Sequence, residues 1–438
     1  MRLWGNYYRL VIIAVGFLCL SFICSNYIIM NFTFICMKDD MEGAIEVNGT
    51  LRSIYDYSTE EKKLIIWAVA AGTIVGTFPV NYFYVKYPFL IAGLVSIIST
   101  VLIPWSAQLD FHLLLVLRFF QGVAYSADFA AIGVLISKWA PLKESAMFIA
   151  ALTSFSAFSS IFTNGVSGVM CEATGWKSIY YLHAVLSATF FVAWFFVYSD
   201  DPSAMKQVSK RELAKIQKNK SSAHLEKTVD VPYAKLLSSP VVWAIWICAF
   251  TEINKTGFVL GFIIAFHLPL RFVFAFVSDK ATCLSEKVKL HLFNTCAVGL
   301  VGVLFVGFGY IPGENRYAAA VYLGALQCCY AFNSGGFYKC ATLHTRQFSH
   351  VVISAIQFTK CISLFSSPAL VAFWVHDESD RLQWVNVFWS LCVMNVSANI
   401  FSFFFLTDQP AEWTEEQLPT AKKAAKFDKV APNSVTFH

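Results

Sequence analysis

The sequence predicts an all-α membrane protein built as two six-helix bundles, nominally of twelve helices with the seventh one shortened. Of the 438 residues, 57% are hydrophobic and only 14% are charged, and the mean hydropathy of +0.57 lies well above the range of soluble domains. Apolar runs of the length needed to cross a bilayer, about 20 residues each, recur along most of the chain. One long basic segment near the middle divides these runs into two sets.

The first set of apolar runs predicts a first bundle within residues 1–198. The runs lack the alternation of β-barrel strands, so helices are the way to pair the backbone within lipid. The run after Arg9 is too long for the apolar core of a signal peptide and has no small-residue cleavage site, which predicts a first membrane helix. The predicted helices span 10–33, 61–83, 88–107, 112–137, 145–169 and 178–198.

Lysine and arginine residues concentrate in a hydrophilic segment at 199–239 and in the tail at 407–438. Because positively charged connections favour the cytosolic side of a membrane, the sequence predicts a cytosolic linker, a cytosolic tail and both termini in the cytosol. The second bundle is predicted at 240–406, between the linker and the tail. Its helices are predicted at 240–253, 256–278, 290–311, 317–338, 350–373 and 384–406.

The connection at 38–60 is rich in acidic residues and is predicted on the opposite side of the membrane. It carries the sequon Asn48-Gly49-Thr50, so Asn48 is a predicted glycosylation site and the chain a predicted glycoprotein. A second sequon at Asn219 falls in the cytosolic linker, which shows how readily such tripeptides arise by chance. Cys36 and Cys171 lie toward the outer side, where a disulfide is compatible with the sequence, but the sequence alone leaves their connectivity open.

The seventh apolar run is anomalous in length. Only about ten apolar residues follow Val241 before the polar group Thr251–Lys255, which is too few for a free-standing span. Because polar residues cannot face lipid unpaired, we expect a short or distorted seventh helix held among its neighbours. A deletion, a short splice form or a faulty gene model would account for the missing length.

Six motifs occur in order along nearly the whole chain, at the helix positions where one branch of transporters carries them. They are Arg118-Phe119-Phe120-Gln121-Gly122, Ser137-Lys138-Trp139-Ala140-Pro141, Gly175-Trp176, Ser334-Gly335-Gly336-Phe337, Gln383-Trp384 and Asp408-Gln409-Pro410. The sequence resembles the anion and phosphate cotransporters of the major facilitator superfamily, the branch of sialin and the vesicular glutamate transporters, and in particular a divergent invertebrate, nematode-type member. The resemblance implies the major facilitator fold, whose two halves are related by an axis along the membrane normal.

The chain departs from that family at three positions. The membrane-embedded Glu of the fourth helix is replaced by Tyr125, the Arg of the seventh helix by Thr251, and the His of the tenth-helix motif by Ala341. These replacements argue against a direct copy of proton-coupled glutamate or sialic acid transport.

Ionisable side chains within the first bundle mark candidate functional positions, because each costs roughly 2.5–3.5 kcal/mol to insert. Arg118 and Tyr125 lie two turns apart on one face of the fourth helix, and Asp128 lies one turn further and about 60° round. Arg118 and Tyr125 are predicted to bind an anionic substrate; the alternative for Arg118 is to pair with a carboxylate or backbone carbonyls. Asp128 is predicted as a charge partner of Arg118, with a proton-coupling role as the alternative.

In the second bundle, Lys360 stands alone in an apolar run and is predicted to face the central cavity and attract an anion, with charge pairing as the alternative. Arg271 approaches the cytosolic end of its helix and is expected to extend its guanidinium to the interface. Glu252, His267 and Arg271 are therefore assigned gating or structural roles.

The function predicted from these features is secondary active transport of a small organic or inorganic anion by alternating access. Coupling to Na⁺ or H⁺ is implied by the resemblance only. The rival hypothesis is a non-transporting or inactive isoform that acts as a membrane scaffold or receptor. The expected partners are a small anionic solute and membrane lipids, and the sequence does not distinguish the plasma membrane from a vesicular or lysosomal membrane.

Other classes of function find little support in the sequence. No phosphate-binding loop, metalloprotease motif or nucleophile elbow lies in the polar segments, so neither an enzyme nor a cofactor is predicted. Cysteines within the apolar runs lack metal-ligand spacing, so no metal site is predicted. The formal net charge of +5 is explained by basic connections on one side of the membrane rather than by a nucleic-acid partner.

Overall fold

The structure is a computed structural model that describes residues 6–42, 44–47, 50–80, 86–218, 220, 231–256, 264–312, 315–376 and 380–414. In the first half the helices are α1 (Tyr8–Lys38), α2 (Thr59–Val80), α3 (Lys86–Leu109), α4 (Phe111–Tyr125), α5 (Ala127–Trp139), α6 (Ser145–Thr153), α7 (Phe155–Thr174) and α8 (Trp176–Val197). The short strands β1 (Ile45–Val47) and β2 (Thr50–Arg52) pair antiparallel between α1 and α2. The linker contributes α9 (Lys210–Gln217) and α10 (Tyr233–Ser238).

The second half repeats this arrangement with more interruptions. Its helices are α11 (Pro240–Thr256), α12 (Ile264–Lys280), α13 (Glu286–Asn294), α14 (Val301–Gly309), α15 (Arg316–Tyr330), α16 (Phe337–Thr345), α17 (Ser349–Trp374) and α18 (Arg381–Phe405). A π-helical turn at Thr295–Leu300 joins α13 to α14, and a 3₁₀ turn at Ala331–Gly335 joins α15 to α16. Counting α4–α5, α6–α7, α13–α14 and α15–α16 as single spans gives the twelve predicted positions, which confirms the predicted fold class.

Two spans of the first half that the sequence predicts as single helices are divided at serine residues. Ser126 separates α4 from α5, and Ser154 separates α6 from α7. Each hydroxyl donates to a carbonyl of the preceding turn, from Ser126 to Val123 at 2.6 Å and from Ser154 to Ala150 at 2.5 Å. Such bonds compete with the helical ladder and bend helices, a local effect that hydropathy does not register.

The shortening of the seventh span stays a prediction, because residues 257–263, which follow α11, lie outside the described residues. α11 has 17 residues, which corresponds to about 25 Å of helix against a hydrocarbon core of roughly 30 Å. Its polar end lies inside the protein, where Glu252 accepts a hydrogen bond from the side-chain amide of Asn333. Among the described residues, seven other helical segments are long and apolar enough to cross a membrane, so the chain is an integral multi-pass membrane protein.

Close helix contacts in the first half depend on glycine. Gly72 of α2 and Gly122 of α4 each lie against the backbone of the opposite helix, where a Cβ atom would collide with a carbonyl. Small residues at such contacts let helix backbones approach within a membrane. Gly175, at the turn between α7 and α8, has a φ of +81°, a conformation that side chains disfavour.

The molecule has two faces, a hairpin side and a linker side. On the hairpin side, which carries β1 and β2, the disulfide Cys36–Cys171 joins the end of α1 to the end of α7. The Trp176 indole donates to Asp40 at 2.7 Å nearby. The linker side carries α9, the start of α1 and the loops between α5 and α6 and between α12 and α13. Asn48, the predicted glycosylation site, lies outside the described residues.

Candidate substrate site between the two halves

Lys360 of α17 reaches from the second half into an aromatic pocket of the first. Its ammonium is hydrogen-bonded to the Tyr125 hydroxyl and lies 4.7 Å from the centre of that ring. The rings of Phe129 and Phe155 stand 5.8 and 5.9 Å away. Aromatic faces attract a cation electrostatically, and the attraction grows when water is excluded. The structure thus brings together Tyr125 and Lys360, which the sequence suggests as separate substrate-binding candidates.

Asp128 supplies a carboxylate to the same region. It lies in the first turn of α5 and is fully buried, and among the described residues neither of its carboxylate oxygens has a hydrogen-bond partner. Lys360 acts on this carboxylate electrostatically across the boundary between the halves. A buried charge without hydrogen bonds is costly, which is why such groups are more common at functional sites than in structural cores.

Arg118 makes the contacts of its alternative role, pairing with a backbone carbonyl, rather than joining Lys360. Its guanidinium Nη1 donates to the Tyr27 carbonyl at 2.8 Å and to Gln121 Oε1 at 2.7 Å, inside the first bundle. The Gln121 amide in turn donates to the Asn26 carbonyl at 3.1 Å and to Thr100 Oγ1 at 2.9 Å. The structure therefore places Arg118 in the carbonyl-pairing arrangement, and it does not bring Arg118 into a salt bridge with Asp128 among the described residues.

Tyr27 of α1 joins Tyr125, Phe129 and Phe155 in an aromatic wall beside Lys360, and no sequence pattern marks it as a site residue. Its ring lies 4.4 Å from the ring of Tyr125, and its carbonyl holds Arg118. Tyr27 stands within an unbroken apolar run, where an aromatic residue is expected to pack. Only the fold, which brings α1 against α4, distinguishes it from the many other aromatics in this chain.

The prediction that Arg271 extends its guanidinium to the membrane interface is wrong. Arg271 is 7% exposed, and its Nη2 donates to Thr153 Oγ1 of the first half at 2.6 Å rather than extending to the membrane interface. The residue lies nine positions, or about 13 Å, before the end of α12 at Lys280, which is too deep for that extension. Glu252 acts on the guanidinium electrostatically, and so does Tyr338.

Glu252 joins α11 to the tenth span. In addition to its carboxylate bond with Asn333, its main-chain carbonyl accepts from the Tyr330 hydroxyl at 3.2 Å. His267 lies in α12, one turn before Arg271, and its side chain lies outside the described residues. Glu252 and Arg271 thus form part of one polar region of the second half, which the sequence analysis treated as separate candidates.

The two cations of the second half meet the first half at a single turn. Arg271 bonds Thr153, the last residue of α6, and Lys360 lies beside Phe155, the first residue of α7. Only Ser154, where the fifth span bends, separates these two contacts. Two cations near the middle of the membrane create a positive potential that an anion can enter, and the guanidinium and ammonium groups would supply its hydrogen-bond donors. No cluster of metal-binding side chains occurs in the described part of the chain.

The halves also meet on the linker side, below this site. Asp279, at the end of α12, accepts from the backbone N–H of Ala146 at 3.2 Å and of Met147 at 2.9 Å, and so caps the first turn of α6. Lys339 of α16 pairs with Asp279 at 3.3 Å and with Glu286 at 3.0 Å. A carboxylate at a helix N-terminus satisfies free N–H groups and the helix dipole together. The linker-side ends of the halves are thereby held together.

Comparison with known proteins agrees with this architecture. Residues 13–368 match the family model described as Major Facilitator Superfamily. The chain is 21% identical to mouse sodium-dependent phosphate transport protein 1, with 90% of this chain and 92% of that protein covered. It is 28% identical to mouse sodium-dependent phosphate transport protein 3, with 85% and 84% covered. A mouse protein named probable small intestine urate exporter is 27% identical over 45% of this chain and 41% of its own length.

Among solved structures, the fold is similar to that of the proton:xylose symporter XylE, with a TM-score of 0.60 and 12% identity. The alignment covers 93% of this chain and 98% of the symporter. At this identity the likeness concerns the fold alone. With the family match over most of the chain, and with similarity to relatives named as phosphate transport proteins, the chain belongs to the major facilitator superfamily.

Proposed function

We propose that this protein is a secondary transporter that moves a small anion across its membrane by alternating access, with Arg271 and Lys360 as the anion-binding cations. The observation that carries the proposal is the convergence of Arg271, which is buried, and Lys360, which is partly buried, on the bend at Ser154. The names of the phosphate and urate relatives support an anionic substrate, because this chain is similar to both. In both bundles, the linker side is proposed to face the cytosol together with both termini.

The contacts of Lys360 suggest how the anion takes part in the cycle. In the structure the ammonium is bound by the Tyr125 hydroxyl, a neutral partner from the opposite half. An incoming anion competes for that ammonium and for the donors of Arg271, since a negatively charged acceptor adds Coulomb attraction that a hydroxyl does not offer. Because both cations belong to the second half and both contact the first half, anion binding would replace contacts between the halves and so shift the balance between the closed and open states.

Asp128 is proposed as the coupling residue. Its carboxylate lies in the field of Lys360 without a hydrogen bond of its own among the described residues, so an anion that takes the Lys360 ammonium would weaken the interaction that compensates Asp128. H⁺ carried by the Asp128 carboxyl is the first candidate for the coupled ion. Na⁺ is the second, supported by the names of the sodium-dependent relatives.

The aromatic wall favours an organic anion over an inorganic one. The rings of Tyr125, Phe129 and Phe155 lie around the Lys360 ammonium, and Tyr27 packs against Tyr125. A flat organic anion can pack on such ring faces while its charge meets Lys360 and Arg271, whereas phosphate offers no surface for them.

Uptake into proteoliposomes tests the proposal. Purified protein is reconstituted, and entry of labelled urate and of labelled phosphate is measured under an imposed proton gradient and, separately, under a sodium gradient. We expect Lys360→Gln and Arg271→Gln each to reduce kcat/KM for the transported anion by roughly tenfold or more, because each removes one charge-assisted contact. Lys63→Gln is the matched control, since the Lys63 ammonium pairs only with the exposed Glu60 on the hairpin side.

The uptake experiment also distinguishes a transporter from the rival function, an inactive isoform. The seventh apolar run favours an inactive isoform, because only about ten apolar residues follow Val241 before the polar group Thr251–Lys255. If no anion in a broad panel enters the vesicles, and a version with α11 lengthened to a full span does transport, the protein is an inactive isoform that acts as a scaffold or receptor. Uptake that is unchanged in both charge variants would refute the site assignment.

A further inference from the structure

The linker helix α9 is fixed to the first bundle by a buried charge pair. The Glu212 carboxylate, 1% exposed, accepts from the backbone N–H of Arg9 at 2.9 Å and from its guanidinium at 3.4 Å. Ile216, one turn after Glu212, is buried on the same face of α9. Val208, just before the helix, is buried as well. Because removing one member of a buried pair leaves the other charge uncompensated, α9 is a packed element of the fold rather than a loosely attached connection.

Glu144 connects α9 to the beginning of the fifth span. Its carboxylate, in the turn before α6, pairs with Lys215 of α9 at 2.6 Å and with Arg9 at 3.5 Å. The next residues, Ala146 and Met147, are the ones whose N–H groups are capped by Asp279 of the second half. One turn, at 144–147, therefore receives the linker through its acidic side chain and the second half through its backbone.

From this arrangement we propose that α9 is a latch of the linker-side closure: its docking holds the turn at 144–147 where Asp279 can cap it, and its release favours opening of that side. The inference rests on the proposed alternating-access cycle, but the contacts that carry it do not involve the substrate site. Factors that engage the basic linker outside α9 would act on transport by shifting this equilibrium.

The test measures opening of the linker side directly. Ser349 is 1% exposed and lies at the linker-side seam, defined by Ile136, Ser137, Thr342, Arg346 and Ser349. A cysteine is placed there as Ser349→Cys, with Cys283→Ser and Cys328→Ser to remove the exposed thiols. The rate of maleimide labelling is measured in nanodiscs, where both faces of the protein are accessible, and the rate of the parent with Ser349 is subtracted.

We expect Glu212→Gln, which keeps the shape and removes the charge, to raise the labelling rate by about fivefold or more. Lys215→Gln removes only the contact with Glu144 and gives a smaller rise, and it serves as the second variant if Glu212→Gln is poorly folded. Asp279→Asn reports the effect of losing the cap itself. Lys210→Gln is the matched control, since Lys210 lies on the exposed face of α9.

The proposal would be overturned if Ser349→Cys were labelled no faster in Glu212→Gln and Lys215→Gln than in the protein that carries Ser349→Cys without them. This holds whether or not Asp279→Asn raises the labelling rate. A rise of equal size in Lys210→Gln would overturn it as well, because the effect would then not depend on the docked face. The readout needs no substrate, so a latch response in a protein that carries no anion in vesicles would sustain this inference while the proposed transport function fails.

Discussion

Arg271 is buried and Lys360 is partly buried, and among the described residues the direct partners of both charges in the opposite half are neutral. Lys360 is bound by a phenol and by ring faces, and Arg271 donates to the Thr153 hydroxyl. A carboxylate partner in salt-bridge contact would neutralise each cation permanently and would compete with any anion. Neutral partners stabilise the cations enough to be inserted into the membrane, yet leave their charge available to a ligand.

The Tyr125 hydroxyl should therefore influence anion affinity through competition. Tyr125→Phe retains the ring face under the Lys360 ammonium and removes only its hydroxyl partner. We expect the KM for the transported anion to fall by roughly fivefold, since a hydrogen bond to a charged group contributes about 1.5–3 kcal/mol and part of that is regained from the ligand. The measurement is initial uptake against anion concentration, with the exposed Tyr181→Phe as control. An increased KM would contradict the competition and make the hydroxyl part of the binding site.

Lys220 gives a prediction of pH dependence outside the membrane spans. Its ammonium donates to the carbonyls of Ser137 at 2.9 Å and Lys138 at 3.2 Å, at the end of α5. Burial, and to a lesser extent the charge of Lys138, lower the pKa of Lys220 from 10.5 to about 7. The folded protein then binds fewer protons at this site than the unfolded chain between about pH 7 and pH 10, so its stability should rise with pH in that range.

Lys220→Gln checks this sign, because the amide can donate to the same carbonyls without carrying a charge. We expect its Tm to exceed that of the parent by about 2–4 °C at pH 7, with the difference shrinking toward pH 10. Lys210→Gln, on the exposed face of α9, should leave the pH profile unchanged. A Tm difference that grows with pH would show that the Lys220 charge is stabilising where it lies.

At the scale of elements, hydropathy predicted the spans well and their interruptions poorly. The predicted run 112–137 is α4 and α5, and the run 145–169 contains most of α6 and α7, but the bends at Ser126 and Ser154 went unpredicted. A serine bond to a preceding carbonyl has no hydropathy signal, since serine is also common at helix contacts. The bend at Ser154 is the one that receives Arg271 and Lys360, so this omission also hid the site.

The contact between α5 and α17 on the linker side depends on a single glycine. A Cβ atom at Gly133 would lie 2.5 Å from the Cα of His350, a separation that backbone atoms cannot relieve without moving the helices apart. Gly133→Val is thus expected to disfavour the closed linker side and to raise labelling of Ser349→Cys by roughly tenfold.

Gly165→Ala is the matched control for this element, because nothing lies within 4 Å of a Cβ atom there. Labelling that is equally slow in Gly133→Val and Gly165→Ala would mean that α5 and α17 do not separate when the linker side opens. Unchanged size-exclusion profiles for both variants are required before the rates are compared.

At the scale of the whole molecule, the two-bundle frame followed from composition and charge, whereas the location of the site did not. Arg118 was the most conspicuous intramembrane charge, yet it stabilises the first bundle through the Tyr27 carbonyl and Gln121. The sequence predicts Arg271 near the cytosolic end of its helix, but the structure places it at the boundary between the halves. Which face of a helix meets the opposite half depends on the rotation of that helix in the bundle, and periodicity in apolar surroundings does not determine this rotation.

The frame also predicts how the disulfide contributes to the protein. Cys36–Cys171 joins α1 to α7 across 135 residues of chain, and both helices belong to the first bundle. Restricting a loop of that length in the unfolded chain contributes roughly 4–5 kcal/mol in the chain-entropy model. Alternating access moves one bundle against the other, so a link within one bundle stabilises it without resisting the motion.

Replacing both cysteines by serine should therefore lower the Tm by roughly 5–10 °C while leaving the KM for the anion unchanged. Cys283→Ser with Cys328→Ser is the control, because these free thiols are exposed and their removal should affect neither quantity. A lower Tm together with an altered KM would place the first bundle among the moving parts of the cycle. Loss of transport at temperatures well below the Tm would do the same, since a rigid bundle needs only to remain folded to carry its half of the site.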